Sequence, residues 1–512
     1  MGLKPTLLLL FFARAQASPC QACHPKEVEG YSHYGMAHSL RRAGREPSGS
    51  LENDFGTKFT VYSNAAGTWQ RIERGGEASD YRVAYVIGSG NHASGYLVRI
   101  GDHLFQSPLS YYTARRAYGM APGYEKLTDA DFTRPVTEEC LLCHSGRPRH
   151  ISGTVSGYES PAFDPEAISC ERCHGPTAEH LRRPVPGSIV NPGKLQGAAR
   201  DSICEQCHLS GVIRIPNPGK KIEDFRPGLR LEDVFTVYRF AAPPGSPAGQ
   251  FKVISHSEQL AASACARNSN GKLWCGVCHD PHNKPVQPVS YYRERCLSCH
   301  ARKISSVHAA PGRDCVGCHM PRRETSDGGH TVFTDHRIMR RPDEKTQSAE
   351  PTELAAWREP DPAFAIRSLA LAYINAGSER NSAAWMVRGY RLLTEVQNAF
   401  RRDPATLRGF GTALLEGNRP REAKIAFDGA LAIDPSDPVN EENAGRADLA
   451  CGEIEPAAEH FEQALRLDPL LLSSAELLEA IYQKRGDSAK ETALAERLRA
   501  AMGSAGIRPK DR

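Results

Sequence analysis

Trp274–His282 reads WCGVCHDPH. What the thiols of Cys275 and Cys278 do with the imidazoles of His279 and His282 decides how this region folds. Two cysteines two residues apart suit a structural zinc or a redox disulfide, so the rest of the chain has to choose. The same Cys-x-x-Cys-His unit occurs six more times: Cys20, Cys23 and His24 (CQACH); Cys140, Cys143 and His144 (CLLCH); Cys170, Cys173 and His174 (CERCH); Cys204, Cys207 and His208 (CEQCH); Cys296, Cys299 and His300 (CLSCH); and Cys315, Cys318 and His319 (CVGCH). Composition alone predicts roughly 0.02 such units in a chain of this length. A zinc pair has no need of the trailing histidine, yet all seven units carry it. Covalent c-type haem does need it, because two thioethers fix one edge of the macrocycle and the next imidazole reaches the iron from one face. Attachment consumes both thiols, which removes the disulfide reading. Seven haems c are expected.

His279 is then the proximal ligand of its own haem, as His24, His144, His174, His208, His300 and His319 are of theirs. His282 lies on the same side of its ring as His279 and is better placed to bind the iron of a neighbouring haem. His150 behind His144 and His180 behind His174 repeat the arrangement at longer offset. Exchange of ligands between haems forces the rings together. Up to Arg340 eleven histidines lie outside the units: His33, His38, His92, His103, His150, His180, His256, His282, His308, His330 and His336. That supply covers seven distal positions, so it does not force an open iron. His103, in the expected hairpin VRIGDHLF, reads as a surface residue. His33 and His38 compete with Met36, which would raise the potential of an iron it bound. Met320 follows its own proximal histidine too closely and reads as packing. Cys265 reads as a buried free thiol, with thiolate ligation as the alternative, and Cys451 as a small core residue.

A chain of 512 residues is long for one core. With 40% hydrophobic and 24% charged residues its composition is that of soluble globular protein. No run of 18 apolar residues occurs, so a transmembrane helix is not expected. Residues 1–17 hold Lys4, a short apolar run and Ala15-Gln16-Ala17, which reads as a secretory signal cleaved before Ser18 and places the protein in the periplasm or outside the cell. Between the first two units, alternation in KFTVYSN, WQRIER, YRVAYVIGSG and GYLVRIGDHLF predicts a β-rich insertion at about residues 55–115, with a turn at Gly101-Asp102. IGSGNHASG departs from the dinucleotide-binding glycine pattern and reads as a turn carrying His92. The haem-bearing domain then covers residues 18–340. The charged, proline-containing RRPDEKTQSAEPTE marks its boundary, with a linker at 341–361.

Beyond that boundary a helical repeat begins. Asp403–Pro435 and Asp437–Pro469 align at a period of 34 residues, matching Ala423 with Ala457, Phe427 with Phe461, Ala430 with Ala464 and Leu431 with Leu465. That is the period of a tetratricopeptide repeat, expected over residues 362–503 with a tail at 504–512. Stacked helix pairs leave a concave face that commonly grips a partner. Residues 352–512 carry 21 Lys+Arg against 25 Asp+Glu; the chain total of 64 against 60 therefore leaves 43 against 35 on the haem side. Propionates offset most of that excess, and nothing else points to nucleic acid.

With these motifs in view, the first 340 residues resemble a multihaem cytochrome c of the family that includes the tetrahaem electron carriers of nitrifying bacteria, above all its larger members ending in tetratricopeptide repeats. The resemblance rests on IGSGNHASGYL, CERCHGPTAEH, CHDPH, DCVGCHMP and TDHRI. It implies haem-ligand roles for His92, His180, His256, His282 and His336, and for His308 and His330. Seven units depart from the tetrahaem pattern, so its pairing scheme does not transfer whole. The fold expected is a mostly α and irregular multihaem module with a small β-rich insertion, followed by an all-α repeat solenoid. The function expected is electron transfer through closely packed haems, with redox protein partners at a haem edge and in the repeat groove, association with a membrane complex allowed, and room for an oligomer or filament. The alternative is a reductase or oxidase of a small nitrogen or sulfur compound working at one five-coordinate haem, with YYTARRAYGMAPGY supplying proton-moving side chains.

Overall fold

The computed structural model describes residues 18–241, 251–301, 313–340 and 353–502. The expected leader, His308 and most of the expected linker lie outside the described residues. The long cysteine-free interval forms an antiparallel sheet of eight strands: β1 (Leu40–Arg42), β2 (Gly49–Glu52), β3 (Lys58–Asn64), β4 (Gly67–Arg74), β5 (Glu77–Ile87), β6 (Ala93–Ile100), β7 (His103–Tyr112) and β8 (Ala117–Met120). Strands β2 to β8 follow one another as a meander, with β1 added to β5. Alternation drives it: Phe59 and Val61 turn inward on β3, between more exposed neighbours. The Tyr118 hydroxyl of β8 donates to the Pro47 carbonyl at 2.6 Å, so the two ends of the meander meet and the sheet is barrel-like. It begins before and ends after the stretch expected at residues 55–115, because its short outer strands carry too few residues for alternation to register.

The Cys-x-x-Cys-His units sit on short turns and helices. The first occupies a 3₁₀ turn, Pro19–Ala22, followed by α1 (Pro25–Ser32). The second ends α2 (Glu138–Leu142), ahead of the strand pair β9 (Pro148–His150) and β10 (Tyr158–Phe163). The third forms α3 (Glu171–His174), with α4 (Ala178–Arg182) behind it, and the fourth ends α5 (Gly197–His208). Strands β11 (Ile213–Pro216) and β12 (Phe235–Phe240) form a hairpin, followed by α6 (His256–Ala262) and α7 (Ala264–Arg267). The last three units lie on α8 (Cys275–Cys278), α9 (Pro288–His300) and α10 (Cys315–His319), before the small hairpin β13 (Arg322–Glu324) and β14 (Val332–Thr334). None of α1, α3, α8, α9 or α10 buries a residue. These helices have no apolar core of their own, and what they surround is a cavity.

The segment expected to be a linker is partly built into the fold. Its strand β15 (Leu354–Ala356) joins the edge of β12, and Arg358 reaches Glu205 of α5 at 2.6 Å. The repeats follow as antiparallel helix pairs: α11 (Ala365–Glu379) with α12 (Ala383–Val396), α13 (Pro404–Glu416) with α14 (Pro420–Leu431), α15 (Pro438–Cys451) with α16 (Ile454–Leu467), and α17 (Leu472–Arg485) with α18 (Ser488–Met502). Asp403 and Asp437 cap α13 and α15 by accepting from backbone N–H groups. Ala423, Phe427 and Ala430 are buried, as are Ala457, Phe461 and Ala464 one period later. A glycine faces each phenylalanine across its pair, so that a Cβ on Gly411 would sit 2.5 Å from Phe427 and one on Gly445 2.8 Å from Phe461. Cys451 is half-buried at the end of α15.

Both ends of the solenoid are held by the rest of the chain. α11 packs on the β11–β12–β15 sheet through Leu371, Ile374 and Tyr238, and the buried Arg367 donates to Asp403 at 2.7 Å and to the Pro216 carbonyl at 2.9 Å. At the far end Leu470, Leu498 and Met502 pack on Tyr81, Ile100, Phe105 and Phe132 of the barrel-like sheet region. His103 lies in this seam and is not a surface residue: it is 5% exposed, its Nε2 is 2.7 Å from Asp468 Oδ1, and Asp468 Oδ2 accepts from Val155 N–H at 2.8 Å. The hairpin was legible, but the helices that cover it come more than 350 residues later in the chain.

Candidate haem-binding cavity

One cavity of about 3380 Å³ runs through the region, several times the ~300–1,000 Å³ of an ordinary ligand pocket. Both cysteines and the histidine of all seven units line it, and so do His92, His180, His256, His282 and His336. The sixteen cysteines are free thiols. Among the described residues no three His, Cys, Asp or Glu side chains converge as the ligands of a single ion do. The thiol pairs face the shared cavity instead, Cys265 among them and half-buried.

Imidazoles from different units meet across this cavity. His24 and His180 have ring centroids 6.3 Å apart and nearly parallel planes. His174 and His282 are 5.9 Å apart, and His279 and His336 6.2 Å apart. His256 stands between His208 at 5.2 Å and His336 at 4.8 Å. Several of these rings are oriented through Nδ1: that of His174 is 2.8 Å from the Val190 carbonyl, that of His319 2.8 Å from the Met339 carbonyl, that of His336 3.0 Å from the Thr334 carbonyl and that of His180 2.8 Å from the Ser188 hydroxyl. An N–H donated at Nδ1 leaves the Nε2 lone pair free toward the cavity, the tautomer a metal-bound histidine needs. Burial drives the His144, His174, His208, His279 and His336 rings below the ordinary imidazole value, and His256 is pushed down to about 2 by burial and then by neighbouring imidazoles. These rings are neutral donors at physiological pH. The residues present fit haem c: paired thiols with an adjacent imidazole at every unit, and a second imidazole facing His24, His174, His208 and His279.

The remaining histidines divide differently. His330 lies against Tyr112, 5.0 Å between centroids, outside the cavity lining. His38 spends its Nε2 on the Ser32 carbonyl at 2.7 Å, and His33 is exposed beside Glu29. His150 faces Glu138 at 3.4 Å in a separate small pocket. Met36 and Met320 line the main cavity. Invisible to sequence reasoning were the carbonyls of Val190 and Met339, which carry no side-chain signal, and Gly30. A Cβ on Gly30 would sit 1.7 Å from the His282 carbonyl oxygen, so α1 and the CHDPH loop touch backbone to backbone.

The motif chemistry and this geometry, together with similarity to known proteins, support a multihaem cytochrome c with covalently bound haem. Residues 114–175, which hold the second and third units, match the sequence model of the family described as cytochrome c554 and c-prime. Among curated proteins the chain is similar to "Multiheme cytochrome MtrA" of Shewanella baltica (strain OS185), 25% identical over 201 residues, which are 35% of this chain and 57% of that protein. The chain thus spans little more than half the length of this relative. Among solved structures it is similar to a MamA double mutant, at 16% identity, TM-score 0.25, 27% of this chain and 75% of that one. It is also similar to the first tetratricopeptide domain of human RPAP3, at 19% identity, TM-score 0.21, 24% of this chain and 95% of that one. At those scores the helix pairs described above stand on their own geometry. No helix among the described residues is long and apolar enough to cross a membrane.

Proposed function

We propose that this protein is an exported electron-transfer cytochrome carrying seven covalent haems c, with the repeat solenoid presenting a docking face to a redox partner. The observation that carries the reading is that all seven Cys-x-x-Cys-His units line one cavity. Haem c supplies reversible one-electron exchange between ferric and ferrous iron. The chain's part is to hold each ring edge by two thioethers and to set potential through axial ligands and burial. With haem bound, the facing pairs His24 and His180, His174 and His282, and His279 and His336, whose ring centroids lie 6.3, 5.9 and 6.2 Å apart, would hold it from two sides. His256, 5.2 Å from His208, would serve the fourth unit, and His92, in the turn between β5 and β6, a further one.

The test is haem quantitation and intact-mass measurement on the exported polypeptide, with electron paramagnetic resonance of the ferric protein. Seven haems per chain are expected, with low-spin signals from the haems that His92, His180, His256, His282 and His336 serve. Free thiols at the units would end the reading, and a high-spin ferric signal would turn it toward a reductase working at an open iron.

A further inference from the structure

The contacts between the units define an order for the haems, which the succession of motifs along the chain does not contain. The second, third and fourth units are nested. Arg172 of CERCH donates through Nη2 to the Leu142 carbonyl of CLLCH at 2.5 Å, and Gln206 of CEQCH donates through Nε2 to the Arg172 carbonyl at 3.0 Å. The Cys143 thiol points at the Gln206 carbonyl at 3.7 Å and the Cys207 thiol at the Leu142 carbonyl at 3.9 Å, so the attachment points of the second and fourth units face each other's turns.

From this nest the contacts run outward. The third unit reaches the first through His180 on His24 and through the Tyr31 hydroxyl, which donates to the Ile168 carbonyl at 2.8 Å. It reaches the fifth through His174 and His282. The fourth unit reaches the fifth twice: the Arg200 guanidinium lies 4.7 Å over the Trp274 ring, and the imidazoles His208, His256, His336 and His279 form an unbroken file between the two. The sixth unit, at the end of α9, packs between α8 and α10, which carry the fifth and seventh.

Resting on the seven-haem reading, we propose that the haems form a three-armed array. The third, fourth and fifth units make a central triad; the first is an arm off the third, the second lies against both the fourth and the third, and the sixth and seventh are an arm off the fifth. Each arm ends at exposed residues: Cys23 and His24 at the first unit, Cys140 at the second, and Cys299, His300 and Cys318 at the sixth and seventh. The third, fourth and fifth units have no exposed cysteine, so the triad is the inner part of the array.

The experiment is an iron map of the purified holoprotein, by anomalous diffraction or cryo-electron microscopy, with each iron assigned to its thioether pair. Three mutually adjacent irons at His174, His208 and His279 are expected, with the iron of His144 beside those of His208 and His174 and the irons of His24 and His319 at the ends. Seven irons in a single unbranched file, or the iron of His208 at a terminus, overturns this order and leaves the seven-haem reading intact. Fewer haems at these units overturns both.

Discussion

His282 follows His279 by three residues, yet its ring lies 5.9 Å from that of His174, in a different unit. A ligand this close behind its own unit cannot pass round the macrocycle, and the fold sets it beside the third unit instead. His282→Met therefore alters the low-spin resonance signal and raises the potential of the haem on Cys170 and Cys173, with the haem on Cys275 and Cys278 unchanged; a potentiometric titration followed by resonance spectroscopy checks it. His460, in the repeats, shows the opposite electrostatic behaviour to the buried cavity histidines. A hydrogen bond to Glu441 at 2.7 Å, then the charges of Glu441 and Asp448, raise it above the ordinary imidazole value against the effect of burial. The folded state thus holds the proton more tightly than the unfolded one. That contribution is complete below the unfolded value of about 6.5 and is lost as pH rises through the higher folded value. His460→Gln costs about 1 kcal/mol in denaturant unfolding at about pH 5.5, and the difference narrows by about pH 9.

Among the elements, the strands with long alternation were legible in the sequence. KFTVYSN coincides with β3, WQRIER lies in β4, and the turn expected at Gly101-Asp102 joins β6 to β7, with Gly101 at φ +56°. The short strands β1, β2 and β15 were not, since three or four residues hold no period and their pairing depends on partners elsewhere. The helix α1 shows the same limit. It carries no buried residue, and its place is set by contact with the CHDPH loop through Gly30, through the Tyr34 hydroxyl on the Asp280 carbonyl at 2.5 Å, and through Lys284 on the His33 carbonyl at 3.4 Å. Gly30→Ala forces these backbones apart. It costs about 1–3 kcal/mol, as overpacking does, and broadens the resonance signal of the haem served by His282; thermal unfolding and the same spectrum read both effects.

At the scale of the molecule, the solenoid closes onto the body that carries the units. The α11 end is tied by Arg367, and by Arg358 just before it to Glu205 and Glu232; the α18 end is tied by an apolar seam and by Asp468. The α5 helix that carries the fourth unit is thus braced by residues at the threshold of the repeats. Asp468→Asn leaves the seam between sheet and solenoid with a weakened buried hydrogen-bond set and lowers stability by about 1–3 kcal/mol. Limited proteolysis then releases the last helix pairs while haem content stays unchanged.

The units and the 34-residue period were determined by the sequence alone. A thioether pair with its adjacent imidazole is chemistry completed within five residues, and a helix pair is a local pattern of small and aromatic side chains. Only the tertiary structure decided which imidazole faces which, that His103 is covered, and that Leu354–Ala356, within the stretch expected as a linker, forms a strand. Those outcomes depend on residues such as His24 and His180, or Glu205 and Arg358, brought together from distant parts of the chain. Contacts at that separation are selected by the packing of the whole and leave no period, spacing or composition for a local reading to find.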